Sequence, residues 1–206
     1  MTRLRVLVVL AALPLLLAAG GDRRSETSYI VIHAVSGPIV EDGSSWTPRC
    51  VSPVVFSGKT AKGPREWADE LRRDKKTHFV VGERGEVEAA LDKHLIANHA
   101  GYSRIGRDPR NPNELSLAIE LLNDVDGTDP YEPAQLDALV CLVAGLQREF
   151  GVPLDHIVRH SDIDARSVVC PDLTPPIVKV KQDPGVDFPW NDFIVRLAKS
   201  PPGPCS

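Results

Sequence analysis

Apolar residues fall along this chain in short uninterrupted runs and in one long stripe, and the two patterns predict different elements. Tyr29 to Ile32 is a β-rich apolar run ending at His33, which reads as a buried strand. HFVV and EVEAAL flank Glu83-Arg84-Gly85 and read as a β-hairpin. LSLAIELL, residues 115–122, reads as a second central strand, and HIVRH, from His156 to His160, as another short one. Between these two, Leu136, Leu139, Val140, Val143, Leu146 and Phe150 recur every three or four residues. That spacing predicts a helix with one buried face, opened by Glu132-Pro133 and stopped at Gly151-Val152-Pro153. Shorter helices are predicted from Glu66 to Arg73 and from Asn191 to Lys199. The stretch from Ser36 to about Pro64 and residues 98–113 read as loops, and a loop as long as the second is often functional. Alternating strands and helices predict one α/β domain with a central mixed sheet flanked by helices.

Composition narrows the class. The chain has 206 residues, 42% of them hydrophobic and 25% charged, which excludes a disordered polymer, a collagen-like repeat and a polytopic membrane protein. A formal net charge of −4 gives no support to nucleic acid as a partner. At the start, Arg3 and Arg5 precede an apolar stretch from Val6 to Leu17 and the small residues Ala18-Ala19-Gly20, the pattern of a secretory signal peptide. The stretch is shorter than the roughly 20 residues of a spanning helix, and it contains Pro14. Gly21 stands where a lipoprotein would need cysteine. The expectation is an exported, periplasmic or extracellular monomer with no stable membrane anchor once the leader is removed. Its divisions would be a signal peptide over 1–20, a linker over 21–28, a domain over 29–199 and a tail over 200–206. Cys50, Cys141, Cys170 and Cys205 suit that compartment and suggest two disulfides, with three connectivities open. A four-cysteine zinc site needs closely paired cysteines, which this spacing lacks.

Titratable residues gather where the predicted strands end. YIVI is followed by His33, HIVR by His160 and LSLAI by Glu120, while KVKQD puts Lys181 and Asp183 two apart on one side of an extended segment. A polar group directly after a fully apolar strand reaches solvent or meets a partner, because burying it unpaired costs several kcal/mol. Several at one sheet edge could satisfy one another around a metal ion. Spacing alone does not decide this, since positions 33, 160 and 183 form no local metal motif.

Six segments, in order, sharpen the reading: YIVIHAVSG, THFVVGERGEV, NHAGYS, LSLAIELLN, HIVRHSDID and KQDPGVDFPW. Together they resemble the type-2 N-acetylmuramoyl-L-alanine amidases, whose fold is shared with phage lysozyme-type amidases and peptidoglycan recognition proteins. The resemblance implies His33, His160 and Asp183 as ligands of one Zn2+ per chain, Glu120 as general base and Lys181 as the cation that stabilises the transition state. It places His99 near the substrate groove and not on the metal, with a loop-ordering hydrogen bond as the other reading. Two features depart from the family pattern. The segment between His160 and Asp183 is long and holds Cys170-Pro171, and Cys170 matches the third ligand of other branches; Asp183 is favoured because Lys181, Pro184, Gly185, Phe188 and Trp190 accompany it. Thr77 stands where some branches carry a catalytic tyrosine, which leaves the base role to Glu120.

The implied activity is hydrolysis of the amide between N-acetylmuramic acid and L-alanine, with peptidoglycan or muropeptides as the partner. Three protein ligands with water in the fourth position would suit catalysis. A peptidoglycan-binding module without catalysis and a zinc peptidase acting on the stem peptide are the alternatives.

Overall fold

The computed structural model describes residues 26–35, 62–123, 130–169, 177–179, 181 and 183–200. The expected leader, the first long loop, Cys50, Cys170 and Cys205 lie outside the described residues. Cys141 lies within them and is disulfide-bonded.

Five strands form the central sheet: β1 (Tyr29–Ala34), β2 (Phe79–Val81), β3 (Val87–Ala89), β4 (Ser116–Leu121) and β5 (Ile157–Arg159). Their spatial order is β3-β2-β4-β1-β5, with β2, β4, β1 and β5 parallel and β3 antiparallel on the edge. This is the mixed sheet expected from the alternating pattern. A second, two-stranded antiparallel sheet joins β6 (Ser167–Val169) to β7 (Ile177–Lys179). The extended run expected to continue through Lys181 and Asp183 therefore stops at Lys179. Asp183 and Pro184 lie in a turn, and Gly185 has φ 98°, so the chain does not run straight there.

The helices are α1 (Pro64–Arg73), α2 (Pro112–Leu115), α3 (Pro133–Phe150), α4 (His160–Ile163) and α5 (Trp190–Lys199). Helix α3 carries the apolar stripe read from the sequence: Leu136, Leu139, Val143 and Leu146 are buried, with Val140 and Phe150 packed beside them. It ends where Gly151 adopts φ 70°, a left-handed cap that glycine takes without a Cβ penalty. The predicted strand over 115–122 loses Leu115 to the last position of α2, and His160 begins α4 after β5 has ended.

Side-chain alternation divides the sheet into two faces. Ile30, Ile32, Leu117, Ile119 and Leu121 pack with α3 and α5 in the main core. Val31 points the other way, into a smaller cluster with Ala100, Ile105 and Ile163. His33 shares the parity of Val31 and pairs in register with Glu120 of β4, so both project from the face opposite α3, near the carboxyl ends of the parallel strands. Ligand sites of open α/β sheets lie at such strand ends.

Gln135 fastens α3 to these strands. It is buried, and its Nε2 donates to the carbonyls of Val81 at 3.0 Å and Leu122 at 2.7 Å. Gln135→Leu should lower unfolding free energy by about 1–3 kcal/mol, because a buried carbonyl loses its donor. Urea denaturation checks this; an unchanged midpoint would show that the bonds contribute nothing.

Candidate active site

Three segments remote in sequence meet at one point. His33 comes from β1, His160 from the start of α4 after β5, and Asp183 from the turn before α5. All three are buried. His33 Nδ1 lies 3.1 Å from His160 Nδ1, and Asp183 Oδ2 lies 3.0 Å from each. Among the described residues this is the group of histidine and carboxylate side chains able to hold a metal ion.

The charge states suit a cation. Burial, then the adjacent His160, holds the His33 imidazole down at about 4 against the pull of Asp183, so it is neutral near pH 7. Burial opposes ionisation of Asp183, but the adjacent His160 and His33 imidazoles, each 3.0 Å from its Oδ2, outweigh it and hold the carboxyl well below the usual range. A tetrahedral zinc ion with bonds of roughly 2.0–2.1 Å would space its ligand atoms about 3.3 Å apart, a few tenths of an ångström beyond this triangle. His160 presents the right nitrogen: its Nε2 donates to the Ala100 carbonyl at 3.3 Å, which leaves Nδ1 with its lone pair toward the centre.

Glu120 stands beside this cluster. Its Oε2 is buried and has no hydrogen-bond partner among the described residues. Burial, with the Asp183 charge added, pushes its carboxyl up to about 8, while Lys181 pulls it down. The Lys181 charge also acts on His33, so the base and the cation expected from sequence share one site with the metal-ligand candidates.

His99 is placed behind the cluster. It is buried, its Nδ1 is 3.0 Å from His33 Nε2, and its Nε2 is 3.0 Å from Ser116 Oγ. Thr77 is buried with its hydroxyl 3.1 Å from the carbonyls of Phe79 and Ala118, so its polar group is used in strand packing.

Three residues passed over in the sequence hold the site together. Asp164 is buried, and its carboxylate accepts from the Lys181 backbone N–H at 2.6 Å and from Arg166 at 3.0 Å. Asn113 Oδ1 accepts from the backbone N–H groups of His99 and Ala100 at 3.0 and 2.8 Å. Tyr131 donates its hydroxyl to the Pro184 carbonyl and packs edge-to-face on Phe188 at 5.0 Å, tying the Asp183 turn to the aromatic core. Asp164 lies within the HSDID segment, the one signal that could have marked it; Asn113 and Tyr131 sit in polar stretches with no local pattern.

Comparison with known proteins follows this geometry. Residues 23–185 match the family model described as N-acetylmuramoyl-L-alanine amidase. The chain is 29% identical over 177 residues to the 1,6-anhydro-N-acetylmuramyl-L-alanine amidase AmpD of Enterobacter cloacae, covering 84% of this chain and 82% of AmpD. It is 30% identical over 105 residues to the N-acetylmuramoyl-L-alanine amidase AmiD of Escherichia coli (strain K12), covering 48% of this chain and 33% of AmiD. Its fold matches a solved structure of AmiD from E. coli in complex with the substrate anhydro-N-acetylmuramic acid-L-Ala-D-gamma-Glu-L-Lys, with TM-score 0.56 and 20% identity over 87% of this chain and 60% of that one. It also matches a selenomethionine derivative of AmpD, with TM-score 0.52 and 21% identity over 83% and 84% of the two chains.

The raised Glu120 carboxyl makes stability depend on pH. A carboxyl that holds its proton to about 8 when folded, against an ordinary 4.5, favours the folded state less and less as pH rises through that window. In metal-free protein, Glu120→Gln should match the parent near pH 4.5 and exceed it by at least about 1 kcal/mol near pH 9. Urea unfolding at the two pH values checks this; equal stabilities at both would refute a strained carboxylate.

Proposed function

The chain belongs to the N-acetylmuramoyl-L-alanine amidase family, and from that premise we propose that it hydrolyses the amide between N-acetylmuramic acid and L-alanine in peptidoglycan or muropeptides, using one zinc ion per chain. The observation that carries this reading is the convergence of His33, His160 and Asp183 to within 3.1 Å of one another, next to a buried carboxylate. The complex of AmiD with a muropeptide supports the substrate class. The apolar, arginine-led pattern of residues 1–20 supports an exported enzyme.

His33, His160 and Asp183 would hold the ion. Zinc bound there would polarise the scissile carbonyl and lower the pKa of a coordinated water to about 7. Glu120 takes the proton of the attacking water and returns it to the leaving nitrogen of L-alanine. Its surroundings suit both transfers, because burial favours the protonated form and the Lys181 charge favours the ionised one. The Lys181 ammonium stabilises the oxyanion that develops on the carbonyl oxygen, and burial of the cluster strengthens that attraction. Asp164 fixes the Lys181 backbone, so the cation is presented from a tethered strap.

Digestion of muropeptides followed by mass spectrometry tests the reaction. Products with free L-alanine amino termini and intact sugars are expected, lost on chelation and regained with zinc. Cuts inside the peptide, turnover after complete chelation, or binding without products would each overturn it. Glu120→Ala should retain zinc and lose on the order of 10²–10⁴ in turnover. A near-normal rate in that variant would remove Glu120 as the base.

A further inference from the structure

A chain of hydrogen bonds runs from His33 away from His160 and Asp183 and ends on the backbone. Ser116 Oγ lies 2.6 Å from the Pro112 carbonyl, His99 Nε2 lies 3.0 Å from that Oγ, and His33 Nε2 lies 3.0 Å from His99 Nδ1. With His99 and His33 as neutral rings, the direction of every bond follows from its last member. A carbonyl only accepts, so the single hydroxyl proton of Ser116 goes to Pro112 and its oxygen is left to accept. His99 therefore donates from Nε2, and a neutral ring that donates from Nε2 has a bare Nδ1. That nitrogen accepts, so His33 donates from Nε2 and its own Nδ1 carries only a lone pair. This is the nitrogen 3.1 Å from His160 Nδ1 and 3.0 Å from Asp183 Oδ2.

We infer that His99 is a positioning residue for the metal site: through the relay His33–His99–Ser116–Pro112 it fixes the tautomer and ring orientation of His33 so that Nδ1 is ready to bind zinc. The neighbouring residue does the same for the other imidazole, because the Ala100 carbonyl accepts from His160 Nε2 at 3.3 Å. Consecutive residues of one loop thus support both histidines, one with a side chain and one with a carbonyl. Asn113 clamps the loop by accepting from both of their backbone N–H groups. His99 is buried, with both ring nitrogens engaged. This inference rests on the proposed zinc site and extends it.

The test uses the full chain and has two readouts, neither of them turnover. Long-range 1H–15N correlation spectra of the metal-free protein report imidazole tautomers; the parent should show His33 protonated on Nε2 alone. Competition with a chelator measures zinc affinity. His99→Phe, which keeps bulk and removes the acceptor, should weaken zinc binding by about 10–100-fold and leave His33 in mixed tautomers. His99→Asn, whose amide oxygen can stand near the position of Nδ1, should recover most of the affinity. Ser116→Ala leaves the strand intact and should weaken zinc in the same direction by less. If His99→Phe does not fold, Ser116→Ala and His99→Asn decide the matter through the His33 tautomer. Unchanged affinity and an unchanged tautomer in these variants would overturn the relay. A parent that binds no zinc would instead overturn the metal site itself, so the two failures are distinguishable.

Discussion

Three hydrogen-bond acceptors that approach one another within about van der Waals distance repel unless something positive lies between them. His33 Nδ1, His160 Nδ1 and Asp183 Oδ2 sit in that arrangement, buried and at 3.0–3.1 Å. Protons could relieve part of the repulsion. Each imidazole, however, has its other nitrogen directed to an acceptor: Ala100 for His160, and His99 for His33. Both rings are thereby biased to turn a lone pair toward the carboxylate, and a divalent cation satisfies all three atoms at once.

The rest of the structure secures that point. β1 and β4 run parallel with His33 opposite Glu120, so a ligand candidate and the base candidate are set side by side by strand register alone. β5 brings His160 to the same end of the sheet, and α3 and α5 seal the opposite face with apolar side chains. Asp183 has no strand to hold it. Its turn is anchored instead by the Tyr131 bond to Pro184 and by the packing of Phe188 and Trp190 against Phe193. The aromatic residues that follow the Lys-x-Asp-Pro-Gly run thus pack beside the turn that carries the carboxylate.

The sequence made some of this legible and hid the rest for physical reasons. Strands β1 and β4 are readable because each carries an uninterrupted apolar run before its polar residue, and α3 because its stripe from Leu136 to Phe150 holds the helical period over about four turns. Strand ends were readable as well, since a histidine or glutamate directly after an apolar run leaves a discontinuity in polarity. The extended reading through Lys181 and Asp183 failed because two-residue spacing does not distinguish a strand from the approach to a turn; Pro184 and Gly185 decide that. The resemblance places His99 near the groove or in a loop-ordering hydrogen bond, and nothing in its own loop indicates that Ser116, seventeen residues on, meets its second nitrogen. Relays of this kind join residues through space and leave no periodic trace in one chain. Likewise Asp164 and Asn113 act on backbone N–H groups, which carry no sequence signature.

X-ray absorption at the zinc edge of the purified protein addresses the central claim most directly. The account predicts one zinc per chain with a shell of light atoms alone at about 2.0–2.1 Å, two of them imidazole nitrogens whose outer-ring scattering is visible. A sulfur shell near 2.3 Å would instead assign the third ligand to Cys170 and release Asp183, and the absence of a zinc edge after reconstitution would contradict the site altogether.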